Sequence, residues 1–363
     1  MSESQPQCRW FHVTPDRVVL FLLVAECLIW LSNWLGWPAW HKGYSVLTCV
    51  AVVGAAVLLM LVWFAVALVF RWQFQFSIWT LLVLTIVVAL PFSWFAVEVK
   101  RAREQWEAVT ALENLGHDLR YDWQFDESGR CTYSERKLEP AWLVGLLGAD
   151  FFQTVRNAYM HQDQMALSGL TYLRGLKELD TLMLYGAKIA EADLENLKGL
   201  NRLRVLNLRN SNITDAGLEN LKGLKQLAGL SLTGTKVTDA GLRHLQGLTE
   251  LEELWLNLTQ VTDSGLDNLK GLHRLRSLGL VGTKVTDVGL ERLKGLTQLE
   301  HLYLNGTEIT DAGLENLMGL KRLEKLLITY PTKITKAGER TFHQVIPNCR
   351  IGYGEGLLRY EME

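Results

Sequence analysis

Seven leucines, Leu179, Leu203, Leu227, Leu251, Leu275, Leu299 and Leu323, recur at intervals of 24 residues, and each opens an L-x-x-L-x-L run or a close variant of it. No other property of the chain narrows its fold as far. A unit this short cannot enclose a core of its own, so several units have to stack and share one. Counting back one period from Leu179 reaches Val155, after which Ala158, Met160, Met165, Leu170, Leu173 and Leu176 fill the same anchor positions. Eight units are expected over residues 155–338, the first of them degraded.

Side chains alternate along a strand. In the third unit Leu203, Leu206 and Leu208 therefore point into the core, and Arg204, Val205, Asn207 and Arg209 turn outward. At the turn that follows, Ala187, Ser211, Thr235, Thr259, Thr283 and Thr307 recur. Small hydroxyls there can hydrogen-bond the turning backbone inside the stack. Ile213, Val237, Val261, Val285 and Ile309 then close the core.

Next comes T-D-x-G-L, with Asp215, Asp239, Asp263, Asp287 and Asp311 in register. Either the threonine or the aspartate can cap a helix N-terminus. The spacing used to bind calcium is absent, so capping is the expected role of this acidic row. The short helix buries Leu218 and Leu221 and stops at Gly223. On its outer side Glu195 and Lys198, Glu219 and Lys222, Asp267 and Lys270, and Glu291 and Lys294 form i,i+3 pairs that keep this face solvated. The last unit departs from the pattern at "ITYPTKIT", "VIPNCRIGY" reads as a closing strand, and residues 339–363 form a C-terminal cap and tail. Gly352, Gly354 and Gly356 lack the strand-helix context and the lysine of a phosphate loop.

In-register parallel strands leave their outward positions as one concave surface. Between the two core leucines these are Tyr159, Met183, Asn207, Ser231, Trp255, Gly279, Tyr303 and Leu327; one step on come His161, Tyr185, Arg209, Thr233, Asn257, Val281, Asn305 and Thr329. They differ from unit to unit while the core letters repeat. Trp255, Tyr303, Tyr185 and Arg209 are residue types enriched where binding energy concentrates, and with Asn207, Asn257 and Asn305 they make the expected partner-binding site.

The N-terminal part has a different character. Up to Glu98 there are four basic residues (Arg9, Arg17, Lys42, Arg71) and four acidic ones (Glu3, Asp16, Glu26, Glu98), yet nine of the 13 tryptophans. After a polar tail, residues 1–17, three apolar stretches at 18–36, 46–70 and 78–97 are each long enough to cross roughly 30 Å of hydrocarbon as a helix. Trp37, Trp40, Trp72 and Trp79 mark their ends. Residues 18–98 are thus expected to form three transmembrane helices, with Pro91 tolerated inside the third. Basic residues divide almost evenly between the two sides, so the side on which the repeats lie stays open. Glu26 is the acid of the first span, expected to be protonated and hydrogen-bonded to Thr48, Thr80 or Thr85 rather than to carry protons or ligand.

Residues 99–154 are expected to hold a juxtamembrane helix stopping at Gly116, a β-hairpin through Leu119, Tyr121, Trp123 and Phe125 to Cys131 and Tyr133, and a short helix from Pro140 to Phe152. Hairpin and helix would cap the first repeat, since a solenoid exposes its core at each end. The five cysteines show no C-x-x-C and no His/Cys cluster, so neither a zinc site nor a disulfide framework is indicated. His117 beside Asp118 is too little for a metal site. A net charge of -2 gives no reason to expect nucleic acid.

The repeat carrying "TDAGL" is similar to the leucine-rich repeat, in particular to its cysteine-containing and bacterial GALA-like classes, over residues 155–351. The resemblance implies an α/β solenoid with parallel strands on the concave face, short helices on the convex face, and protein binding as its use. Related proteins recruit substrates to ubiquitin ligases through an F-box, and no such helical module precedes this array. The expectation is a non-enzymatic, cofactor-free, multi-pass membrane protein that presents a protein-binding surface as a scaffold or sensor. Alternatives are a structural or adhesive envelope component and, further off, a substrate-recruiting module or a transport role resting on Glu26.

Overall fold

The computed structural model describes residues 47–48, 50–55, 57–58, 78–125, 141–160, 169–328 and 333–353. The first expected span with Glu26, most of the second, the hairpin arm at Cys131 and Tyr133, His161, Thr329 and the tail from Gly354 lie outside these residues. The chain divides into two compact units, Met1–Arg103 with Glu135–Thr154, and Glu104–Ser134 with Val155–Glu363.

In the first unit, helix α1 (Ile78–Asn114, of which residues up to Arg103 belong here) runs through Pro91. Among the described residues no helix is long and apolar enough to cross a membrane. The apolar stretch of α1 ends at Val97, before Glu98, Lys100 and Arg101. Helix α2 (Ala141–Leu147) follows, and a 3-10 turn at Ala149–Phe151. Phe151 and Phe152 are buried with Ala102, and Phe95, Leu143, Val144 and Leu147 pack around them. Phe95 meets Phe151 edge-on, with ring centroids 5.8 Å apart.

In the second unit the end of α1 covers the first repeat. Ala108, Val109 and Leu112 join the solenoid core. Gly175 is needed for this approach, because a Cβ there would lie 2.6 Å from the Glu104 carbonyl oxygen. The helix ends in a Schellman turn: His117 N–H donates to Leu112 C=O (3.1 Å), Gly116 N–H donates to Glu113 C=O (2.8 Å), and Gly116 adopts φ 78°. Strand β1 (Asp118–Tyr121) then pairs antiparallel with β2 (Val155–Tyr159), closing the edge that the first repeat would leave open.

From β2 onward the sheet is parallel and sequential: β3 (Thr181–Met183), β4 (Val205–Asn207), β5 (Gly229–Ser231), β6 (Glu253–Trp255), β7 (Ser277–Gly279), β8 (His301–Tyr303), β9 (Lys325–Ile328) and β10 (Arg350–Tyr353). Leu203, Leu206, Leu208, Leu218, Leu221 and their counterparts are fully buried in one continuous core. The convex segments are mostly 3-10 turns, as at Glu191–Leu197, Gly217–Gly223 and Asp263–Leu269, with short α-helices at Asp239–Leu242, Asp287–Glu291 and Asp311–Leu317. So short a crossover favours the tighter i→i+3 winding.

Hydroxyls at the turn behave as their size demands. Ser211, Thr235, Thr259 and Thr283 each donate at 2.6 Å to the carbonyl three residues earlier. The aspartates do more than cap. Thr238, Thr262, Thr286 and Thr310 are the N-caps of their own helical turns, accepting from the amide two residues on. Each of these threonines also donates its N–H and its hydroxyl to the aspartate one repeat earlier, as Thr262 does to Asp239 at 2.8 and 2.6 Å. Every such carboxylate is a clasp between successive units. At the C-terminal end a helix, Lys336–Val345, buries Phe342, and β10 completes the sheet beside β9. Burial pushes the Cys349 thiol from its ordinary 9.0 up to about 11.

Candidate functional site

The sheet of the second unit carries three outward rows, set by the strand register. One holds Asn207, Ser231, Trp255, Gly279, Tyr303 and Leu327, and the next holds Tyr185, Arg209, Thr233, Asn257, Val281 and Asn305. The third, one step on the other side, runs Thr181, Val205, Gly229, Glu253, Ser277, His301, Lys325 and Arg350.

Trp255 and Tyr303, expected as exposed anchors, are buried at 3% and 8% exposure. The reason is Gly279, which lies between them in register. A Cβ at Gly279 would be 2.6 Å from Trp255 Cε3, so the indole takes the space a side chain there would fill and packs against Tyr303, with centroids 5.0 Å apart. Val281 and Leu327 complete this apolar cluster. Beside it the Trp255 Nε1 and the Ser231 hydroxyl are buried with no hydrogen-bond partner among the described residues. Packing, not hydrogen bonding, sets this indole.

The three asparagines are also buried rather than presented. Asn207 Oδ1 accepts from Arg209 N–H at 3.0 Å, and Asn257 Oδ1 accepts from Val281 N–H on the next strand at 2.8 Å. These two brace the sheet where its ladder ends. Tyr185 is open, at 51% exposure; the Arg209 guanidinium lies 5.9 Å from its ring centroid, and Asn210 Nδ2 donates to its hydroxyl at 3.3 Å. Of the seven expected residues, the structure joins Tyr185 with Arg209 and Trp255 with Tyr303, as two separate patches, and buries the three asparagines.

The third row ends in basic side chains that sequence reasoning missed, although the alternation that turned Val205 outward applies equally to them. His301, Lys325 and Arg350 stand side by side on β8, β9 and β10. They line a cavity of about 540 Å³ together with Glu324, Leu327, Asn348 and Gly352. Lys325 Nζ is 5.4 Å from the Tyr303 ring centroid, which ties the basic row to the aromatic cluster. Ser277 Oγ and His301 Nδ1 are 3.2 Å apart. Of the neighbouring acids, Glu300 is taken by Arg276 through contacts of 3.0 and 2.7 Å, and that hydrogen bond raises the Arg276 pKa. Among the described residues no group of three His, Cys, Asp or Glu side chains is placed to hold a metal ion. Asp118 pairs with Arg120 at 3.3 Å, and His117 is buried.

A family profile for the leucine-rich repeat matches residues 200–222 and 295–318. No curated protein matches the chain. Among solved structures, an internalin C2 from Listeria monocytogenes is 22% identical, with a TM-score of 0.38, over 49% of this chain and 81% of its own. An internalin F from the same organism is 21% identical, with a TM-score of 0.40, over 52% of this chain and 58% of its own. With its parallel strands, its short crossovers and its shared leucine core, the chain carries leucine-rich repeats.

Proposed function

We propose that this protein is a membrane-anchored, non-enzymatic binding module whose repeats present the outward rows of their sheet to a protein partner. The observation that carries the reading is the contrast between rows. Core positions repeat leucine, whereas different repeats offer Tyr185, Arg209, Glu253, His301 and Lys325 to solvent or near it. A solenoid held together by its core and its clasps is free to vary those letters. Anchoring rests on the apolar stretches at 18–36, 46–70 and 78–97. It is supported by the exposed Ile86, Leu90, Phe92 and Val97 on α1 and by α2, which has no polar side chain and turns Trp142 and Leu146 outward.

Two measurements on the full chain test this. Alkaline carbonate washing should leave it in the membrane fraction; release into the supernatant refutes the anchor. A photo-crosslinking residue placed at Tyr185 should give a discrete protein adduct in cells, while one at Glu219 on the convex side gives none. Adducts from Glu219 alone, or from neither, refute the binding face.

A further inference from the structure

Resting on that reading, we infer that the cavity beside His301, Lys325 and Arg350 receives a carboxylate side chain from an extended segment of the partner, with a neighbouring apolar side chain seated toward Leu327 and Tyr303. Adjacent strands are about 4.8 Å apart, so three basic residues at one register position form a short cationic edge. Two permanent cations and a histidine face one acid in the cavity, Glu324, because Glu300 is engaged by Arg276. Lys325 and Arg350 carry only donors, so an acceptor-bearing, negatively charged group is the complementary ligand chemistry.

The rest of the ligand follows from what adjoins the charge. Leu327 lines the cavity and packs on the cluster of Trp255, Val281 and Tyr303. An extended chain sends alternate side chains to one side, so an acid and an apolar residue two positions apart can occupy both subsites. Glu324 opposes a doubly charged phosphate more than a singly charged carboxylate. The geometry thus points to an acidic peptide strand.

The test uses the full chain in detergent and a random linear peptide library. Enriched peptides should carry an acid two positions from an apolar residue. For each, the counterpart with glutamine in place of the acid should bind about tenfold more weakly, a loss of about 1.4 kcal/mol, and the difference should shrink with added salt. Lys325→Gln should erase the glutamate preference, Glu324→Gln should strengthen it, and Lys325→Glu with Arg350→Glu should shift the preference to lysine counterparts. Circular dichroism checks that each variant is folded. Peptides enriched without an acid, or indifferent to these substitutions, overturn the inference and leave the binding face standing. Tighter binding of a phosphoserine counterpart overturns the carboxylate assignment. No enrichment of any peptide overturns both.

Discussion

The clasp between repeats makes a prediction whose sign is unusual. Gly265 sits in a helical turn with no positive φ, where replacing glycine by alanine ordinarily gains about 0.5–1 kcal/mol. Here a Cβ would lie 2.3 Å from Asp239 Oδ1, the oxygen that accepts from Thr262 N–H at 2.8 Å. Gly265→Ala must therefore push that carboxylate away and break both Thr262 bonds. Hydrogen bonds to a charged group are each worth about 1.5–3 kcal/mol net, and Thr262 N–H is only partly exposed, so the loss is about 2–4 kcal/mol. Asp239→Ala removes the same two bonds directly and should cost the same. If both substitutions act through one event, the double variant costs little more than either, and the coupling is about 2 kcal/mol or more. Array unfolding need not be all-or-none, so hydrogen exchange across Thr262 to Leu266 is the readout, with thermal unfolding beside it. Additive losses within about 0.5 kcal/mol, or a Gly265→Ala variant that gains protection, would refute the clasp.

Two further outcomes concern strain and burial. Leu258 adopts φ 54° at a turn where Gly234, Gly282 and Gly306 hold the equivalent places, and it is 56% exposed. Left-handed backbone costs a side-chain-bearing residue roughly 1–2 kcal/mol, so Leu258→Gly should stabilise by about 0.5–1 kcal/mol in thermal unfolding, unlike Leu→Gly almost anywhere else in the array. The Cys349 thiol, raised from 9.0 to about 11 by burial, keeps its proton in the folded state when the unfolded chain has lost it. Its contribution is complete below pH 9 and is lost as pH rises through 11, by up to about 2–3 kcal/mol at about 1.4 kcal/mol per unit. Cys349→Ala should flatten that part of the alkaline stability profile, and an unchanged profile would show that the buried thiol does not govern it.

The repeat period and the alternation within a strand were enough to locate the core, the strand register and the hydroxyl turns, because each depends on residues close in sequence. What needed the structure depends on residues one repeat apart. Trp255 reads as an exposed anchor until Gly279 is placed beside it, and the pairing of two aromatics across a glycine was present in the sequence at a spacing of 24. Asp239 reads as a helix cap until Thr262 is seen to reach back to it. The end of the array was harder still. The Glu104–Asn114 part of α1 carries its apolar residues at the spacing that fits the first repeat, and what the sequence does not show is that Gly175 clears the space for it.

These inter-repeat contacts also explain why a site can be built on the face that does not repeat. The clasps lie on the helical side of each unit and the leucines in its centre, so neither uses the side chains of His301, Lys325 or Arg350. Exchanging those charges removes no leucine of the shared core and no clasp, while Lys325 gives up its contact with the Tyr303 ring. Trp255 is different, since its indole fills space above Gly279 and its loss leaves a hole of the kind that costs about 3–5 kcal/mol. Binding studies that alter Trp255 would mix recognition with stability. Charge reversal at Lys325 and Arg350 leaves the leucine core and the clasps in place, and that separation follows from where the sequence repeats and where it does not.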